Sequence, residues 1–400
     1  MPWKETCVDE ERMRFIVALK QGGWTMTDLC AEFGISRKTG YKYLDRYSAG
    51  GIKGLKDQSR APKNQPRAVR EKLVELILEA RREHPNWGAR KLLAALAGRY
   101  PQIQDWPHPN TFGRILKRNG MIKKRKRRRK KVQLFPLSHV LDPNDVWCVD
   151  YKGHFTVGNG KRCDPLTISD AYSRFLLDCK AVPKTDTKSA QEVFTAVFKE
   201  YGLPNAIRSD NGSPFASSQS LAGLSRLSVW WLKLGIQLER IEPGKPYQNG
   251  RHERMHWTLK QETALPPRSS LELQQLAFEN FKREYNYERP HEALKNRTPS
   301  QLYKPSNRSF PDKIEVAYPT NMETYVVSDE GTIRYGTLRV FLSSALRNEP
   351  VGIEEISERH RRIHFASATI GVLDAFTGNL LQYKNPAPID MEMEDNSVWN

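Results

Sequence analysis

Three carboxylates occupy positions where acids are either costly or well placed to meet. Asp150 follows Val146-Trp147-Cys148-Val149, a run of apolar, β-forming residues in which an ionised side chain needs a cation or hydrogen bonds to offset its charge. Asp210 ends Ile207-Arg208-Ser209 and is followed by Asn211-Gly212, where glycine frees the turn. Glu253 lies in Gln248-Asn249-Gly250-Arg251-His252-Glu253-Arg254, within a helical pattern. Such oxygens suit hard divalent cations, and two Mg²⁺ ions about 4 Å apart can activate a water or 3′-hydroxyl and stabilise the leaving oxygen in phosphodiester cleavage. Singly, each acid is weak evidence, since Asp at a strand end is most often a turn former and Glu in a helix is most often solvated; the three together carry the reading.

These acids need a scaffold that brings strand ends together. From residue 144 the composition turns to alternating and apolar β-type segments at 146–157, 162–170 and 175–182, three strands in series that read as antiparallel. An amphipathic helix is expected at 187–201, then short strands at 206–209 and 236–241 and a helix at 249–261. This is the order of a ribonuclease H-like α/β core, in which the first and fourth strands are neighbours, so that Asp150 and Asp210 converge. A helical stretch at 271–287 and a closing segment at 290–303 follow. Asp170, at a strand end, is a competing ligand, but a turn capped by Asp explains it; Glu239 and Glu262 compete less. His252 and His256 flank the glutamate, either contacting DNA or a metal-bound water or simply occupying exposed helical positions. Asn211 and Asn249, each before a glycine, read as turn residues that shape the site.

The first third of the chain is helical and basic. Segments 10–20, 27–33 and 37–46 read as helices, with Gly34 in the left-handed conformation of a tight turn, Ile35 plugging the space between helices and Ser36 capping the third. That is helix-turn-helix punctuation. Arg37, Lys38, Lys42 and Arg46 then face outward as candidate DNA contacts, with Tyr41 and Leu44 inward; a helical hairpin with a solvated basic face fits the same pattern. A stretch rich in Lys, Gly, Pro, Ser and Asn links this to a second helical unit at 70–84, 88–98 and 110–119, where Asn110 or Thr111 is the expected cap. A second helix-turn-helix fits best, a mere spacer bundle being the alternative.

Of the 64 Lys and Arg residues, 32 lie in the first 140 positions, against 13 of the 46 Asp and Glu. The net charge of +18 is therefore concentrated where a polyanion would bind, although total charge alone would also suit a ribosomal or membrane-surface protein. Lys123, Lys124, Arg125, Lys126, Arg127, Arg128, Arg129, Lys130 and Lys131 form an unbroken basic run, which self-repulsion should extend until a polyanion neutralises it. It reads as a strap on the DNA backbone. The five cysteines are scattered and lack CxxC pairing, so they are expected to be small core residues. The charged N-terminus and the absence of an apolar run of about 18 residues suggest a soluble, cytoplasmic protein without a membrane partner.

Trp147-Cys148-Val149-Asp150, then Ser209-Asp210-Asn211-Gly212-Ser213-Pro214-Phe215, then Pro246-Tyr247-Gln248-Asn249-Gly250-Arg251-His252-Glu253-Arg254 resemble the DDE transposases and integrases of the retroviral-integrase superfamily. The resemblance is greatest to bacterial insertion-sequence transposases with an N-terminal helix-turn-helix pair. It continues through Tyr285-Asn286-Tyr287-Glu288-Arg289-Pro290-His291 and Thr298-Pro299-Ser300-Gln301. It implies that Asp150, Asp210 and Glu253 are the catalytic metal ligands, with two Mg²⁺ ions for which Mn²⁺ can substitute. It also implies binding to double-stranded transposon ends and target DNA, as a homodimer or homotetramer. Asp210 and Glu253 stand 43 positions apart, wider than in retroviral integrases, with 217–233 carrying the extra length in a conformation the sequence does not reveal. The His/Cys zinc module of the retroviral proteins is replaced by helix-turn-helix units. Residues 256, 257 and 260 share a helical face with Glu253, which places Lys260 within reach of a phosphate and Trp257 where an end base could stack.

Beyond residue 311, strands at 323–327, 332–335, 338–341, 351–356, 361–365 and 369–374, at hairpin spacing, suggest a small β-barrel, whether for binding or for structure. The expectation is thus a multidomain chain. All-α helix-turn-helix domains at 1–52 and 67–122 are joined by a linker at 53–66 and followed by a basic linker at 123–140. An α/β ribonuclease H-like integrase core at 141–305, a β-barrel at 311–385 and an acidic tail at 386–400 complete it. The expected function is metal-dependent 3′-end cleavage and strand transfer at terminal inverted repeats; the alternative is a helix-turn-helix regulator with a non-catalytic core.

Overall fold

Within Met1–Arg70, one of two units into which the chain divides, α1 (Val8–Gln21), α2 (Met26–Glu32) and α3 (Arg37–Gly50) close around Phe15, Ile16, Leu29, Cys30 and Leu55. The turn before α3 forms as expected: Gly34 has φ +62°, Ile35 packs on this core, and the Ser36 hydroxyl accepts the Thr39 N–H at 3.2 Å. Tyr41, expected inward, is 53% exposed instead. Gly40 holds the inward position, where a Cβ would come within 2.6 Å of the Cys30 sulfur, so α3 approaches α2 more closely than a tyrosine face would allow. The computed structural model describes residues 7–57, 68–122, 140–217, 220–241 and 250–388. The basic run Lys123–Lys131 and the pair Gln248-Asn249 lie outside them.

The second unit, Glu71–Asn400, begins with α4 (Glu71–Glu83), α5 (Ala89–Arg99) and α6 (Pro109–Arg118), which bury Ile77, Leu92, Leu96, Phe112 and Leu116. The cap of α6 is neither Asn110 nor Thr111. His108 caps it, Nδ1 accepting the Asn110 N–H at 3.2 Å, because Pro109 at the first helical position moves the start one residue earlier.

The core sheet is built on β1 (Val146–Tyr151), whose first four residues are buried. With it go β2 (Phe155–Thr156), β3 (Arg162–Asp170), β4 (Leu176–Val182), β5 (Ala206–Ser209) and β6 (Gln237–Arg240). The path is β2-β3-β1-β5-β6 with β4 also beside β3; β1 runs antiparallel to β3 and parallel to β5. The strand expected at 146–157 is thus two, split around residues 152–154. On one face lie α7 (Thr187–Tyr201) and α8 (Arg226–Lys233), packing Phe194, Phe198 and Trp231 against Trp147, Val149 and Ile207. On the other lie α9 (Gly250–Thr263) and α10 (Leu271–Arg283), whose Met255, Leu259, Phe278 and Phe281 meet Cys163, Leu176 and Cys179. Four cysteines are buried as expected; Cys7, at the N-cap of α1, is exposed.

The C-terminal region is not a closed barrel. β7 (Glu323–Val326), β10 (Pro350–Glu355), β11 (His360–Phe365), β12 (Ala368–Asp374) and β13 (Leu380–Pro388) form one sheet in the order β13-β12-β11-β10-β7, while β8 (Thr332–Tyr335) and β9 (Leu338–Phe341) pair separately. Among the described residues β13 and β7 do not pair, so the sheet stays open. Its apolar face is covered from outside itself: Leu221, Leu224, Val229 and Leu232, from the extra length between Asp210 and Glu253, enter its core beside Ile353, Ile363 and Phe365. An open sheet needs such a cover, and the insert supplies it while burying Leu227 and Trp231 in the core beside β1 and β5. No described helix is long and apolar enough to cross a membrane.

Candidate active site

Parallel pairing of β1 with β5 aligns Val146, Trp147 and Cys148 with Ala206, Ile207 and Arg208; two residues further along each strand stand Asp150 and Asp210. Both acids therefore leave the same end of the sheet side by side. Asp210 is partly buried and its Oδ1 accepts the Gly212 N–H at 3.1 Å, while the Asn211 amide donates to the Ile241 carbonyl at 2.7 Å and ties this turn to the end of β6. The Asp150 side chain is 26% exposed. Burial, then the charge of Asp210, then that of Glu253, push its carboxyl up to about 7, against lowering by the Tyr151 N–H and Lys152. Glu253 itself is exposed in the first turn of α9.

The two histidines on α9 correct the expectation most. Neither stands out at the surface: His252 and His256 are 2% and 5% exposed and point under the helix. The Thr167 hydroxyl, opposite Asp150 in the β1–β3 register, donates to the Asp150 carbonyl at 3.0 Å. Its oxygen then receives Nε2–H from His252 at 2.7 Å and from His256 at 2.6 Å, and Ser169 donates to Nδ1 of His252 at 2.9 Å. With the one Thr167 hydrogen assigned to the carbonyl, both rings carry their proton on Nε2. Burial lowers His252 to about 3 and, with His252 and Lys152 adding to it, holds His256 lower still, so both rings are neutral. The 3.6 Å approach of His256 Nδ1 to Asp150 Oδ2 is therefore a contact of a neutral ring with a carboxyl, not an ion pair. Histidine spacing of four marks a shared helical face, but only the strand beneath shows which way that face looks.

The other side of α9 is open. Glu253, Trp257 and Lys260 are exposed there, the Trp257 ring at 52%. Competing acids have structural partners. Asp170, 1% exposed, accepts the N–H groups of Asn144 at 2.8 Å and Ser173 at 2.7 Å, which is the turn cap expected of it. Glu262 holds Arg289 at 2.9 Å and Glu239 holds Arg208 at 2.6 Å. The Tyr285–His291 stretch is structural as well: the buried Asn286 amide accepts from the Leu176 N–H and donates to its carbonyl, at 2.8 and 2.9 Å, closing the open edge of β4.

Carboxylate oxygens are donors that suit a hard divalent cation, and burial, with the charges of Asp210 and Glu253 added to it, raises the Asp150 carboxyl. Among the described residues no group of three His, Cys, Asp or Glu side chains converges to ligating distance. Of the expected DNA contacts, Arg37, Lys38, Lys42 and Lys260 are exposed, and Arg46 is half-buried over the Tyr43 ring, 5.7 Å from its centroid.

Two models described as integrase core domain match residues 141–246 and 234–299, and models described as a helix-turn-helix domain and a homeodomain-like domain match residues 11–63 and 39–116. The chain is 26% identical over 246 residues to an uncharacterized 31.7 kDa protein of insertion element IS407 from Burkholderia multivorans, covering 60% of this chain and 82% of that one. It is 26% identical over 241 residues to an uncharacterized 39.2 kDa protein of insertion element IS476 from Xanthomonas euvesicatoria, covering 59% and 66%. Among solved structures, the integrase catalytic core domain of HTLV-2 in complex with magnesium aligns over 41% of this chain and 99% of its own, with 16% identity and TM-score 0.32. A simian T-cell lymphotropic virus intasome in complex with PP2A regulatory subunit B56 gamma aligns over 68% and 96%, with 16% identity and TM-score 0.36.

Proposed function

We propose that this chain, which fits the DDE transposase/integrase family through its integrase core and helix-turn-helix domains, is an insertion-sequence transposase that cuts the 3′ ends of its element and joins them to target DNA. The observation that carries the reading is the pair Asp150 and Asp210 at adjacent strand ends, with the charge of Glu253 felt at Asp150. That the two insertion-element proteins are relatives supports it. Bound there, two divalent ions, Mg²⁺ or Mn²⁺, would supply activation of the nucleophile and stabilisation of the leaving oxygen. The chain's own residues hold charge and position: Asp150, Asp210 and Glu253 present the oxygens, Thr167 and the two neutral histidines fix the β1 end beneath them, and the buried sheet keeps the pair in register. Both chemical steps are displacements at phosphorus and require no covalent link to the protein. The cationic first third and the run Lys123–Lys131 would grip the ends, in a homodimer or homotetramer that bridges two of them on cytoplasmic DNA.

The deciding experiment incubates the purified full chain and a divalent metal with duplexes carrying the element's ends and a circular target. Nicked ends and joined products are expected. Binding without any metal-dependent cleavage would sink the reading in favour of a DNA-binding regulator, and cleavage without joining would leave only a nuclease.

Neutralising Arg37, Lys38 and Lys42 together, all exposed on α3, should weaken binding to end DNA by about tenfold or more and to random DNA less, since base edges distinguish the two while phosphates do not. Gel-shift titrations on both duplexes check this; equal losses would reduce α3 to a backbone contact. Lys260→Ala should slow end cleavage several-fold at unchanged thermal stability, because its exposed side chain shares the open face of α9 with Glu253. Trp257→Ala should do so as well, and the stacking worth roughly 1–3 kcal/mol makes its loss greater on paired ends than on ends already frayed by mismatches. Wild-type rates for Lys260→Ala on both ends would remove this face from the DNA path.

A further inference from the structure

Glu262 follows Glu253 on α9 by about two and a half helical turns, so the two carboxylates leave opposite sides of the helix. Glu253 faces outward with Trp257 and Lys260, and Glu262 turns inward. The buried arc of α9 runs from His256 and His252, bonded to Thr167, through Leu259 and Met255 to Glu262. Apolar contacts such as those of Leu259 and Met255 resist a roll of the helix only weakly, whereas hydrogen bonds are directional. The angle at which α9 presents Glu253 therefore rests on the polar ties at the two edges of that arc.

The tie at the Glu262 edge is Arg289, a buried residue whose Nη1 donates to both carboxylate oxygens, at 2.9 and 3.0 Å. Its guanidinium is enclosed by the turn between α4 and α5. The Trp87 ring lies 5.8 Å from it, His84 stacks on Trp87 with 3.8 Å between ring centroids, and the same His84 reaches Glu284 at 3.4 Å. Lys91 of α5 is pushed down to about 8 by burial and then by the Arg289 charge, as close neighbours would be. These side chains keep water from the Arg289–Glu262 pair, and losing one partner of such a pair strands the other charge in a low-dielectric setting. Resting on the reading of Glu253 as a metal ligand of a transposase, we propose that Arg289 is a positioning residue through which the second helical unit fixes the roll of α9 and so the presentation of Glu253. The helical unit thus has a part in the catalytic site as well as any part in gripping DNA, and Glu253 keeps its aim only while the turn between α4 and α5 stays seated on Arg289.

The test compares the full chain with Arg289→Met and with the double variant Arg289→Met, Glu262→Gln. The single variant strands the Glu262 carboxylate and should melt several degrees lower; the double variant, with neither charge left, should recover most of that loss. A purely structural pair would recover activity along with stability. Positioning predicts that the double variant binds end duplexes as wild type does but needs about tenfold more Mg²⁺ for half-maximal cleavage. Its α9 amides should also exchange hydrogen faster than those of wild type, measured without DNA or metal. Arg289→Lys, which keeps the charge but lacks the planar guanidinium, should show both changes in smaller measure, and it carries the test if the double variant does not fold. A wild-type Mg²⁺ requirement or wild-type exchange in α9, in whichever of these variants carries the test, overturns the proposal. If the wild-type chain itself cuts no end duplex, the transposase reading fails, while the exchange comparison still decides whether Arg289 governs α9.

Discussion

Asp150→Asn, Asp210→Asn and Glu253→Gln are each expected to reduce end cleavage and strand transfer by roughly three orders of magnitude or more, with DNA binding close to wild type. An amide matches the carboxylate in shape but lacks the charge needed to hold a divalent cation. The three are not equivalent in their surroundings: Asp150 is largely buried beside Asp210, whereas Glu253 stands exposed on α9. The loss at Glu253 therefore tests whether α9 brings its acid to the strand pair when DNA and metal are present. Cleavage and joining of labelled end duplexes, with gel shifts on the same preparations, measure both properties. Near-normal turnover by any one of the three in Mg²⁺ would remove that residue from the catalytic set.

The second large effect is on stability, and its sign follows from the carboxyl of Asp150 being held up to about 7 from 3.8. The folded protein keeps a proton there that the unfolded chain releases near pH 4. This stabilising contribution is complete below about pH 4 and is lost as pH rises through about 7; beyond that, a charged carboxylate is held at a cost of up to about 4 kcal/mol. Asp150→Asn should thus raise the melting temperature of the metal-free protein at pH 8 by several degrees and leave it little changed at pH 4. Divalent metal should stabilise the wild type strongly at pH 8. At pH 6 it must first displace the proton, so its apparent affinity should fall about tenfold per pH unit below 7. Thermal melts with and without Mg²⁺ across this range decide it. Equal metal stabilisation at pH 6 and pH 8, or an undiminished metal effect in Asp150→Asn, would contradict the assignment.

Much of this molecule is local. Periodicity alone places α7 at 187–201 and β3 at 162–170, because a helix that buries one stripe and a strand that is buried from Cys163 to Ile168 without a break leave opposite signatures. Gly34-Ile35-Ser36 specifies the turn before α3 with conformational freedom, a plug and a cap in three residues. Elsewhere the local signal points the wrong way. Tyr41 takes an inward position in the periodicity but loses it to Gly40, since how closely two helices approach is a property of the pair. β13 lacks a legible pattern and becomes a strand by pairing with β12. Hairpin spacing likewise predicts strands but not closure, which depends on whether the two edges meet.

The candidate site divides in the same way. Residue type and short-range spacing were enough to single out Asp150, Asp210 and Glu253 as candidates, to place the elements that bear them and to show the basic character of the first third. The convergence of Asp150 and Asp210 from neighbouring strands follows the expected strand order, whereas the inward turn of His252 and His256 onto Thr167 and the cover that the long insert before β6 lays over the C-terminal sheet came from the folded chain alone. The physical reason is that burial, and with it the charge state of an acid or a histidine, is set by surfaces that meet from distant parts of the chain.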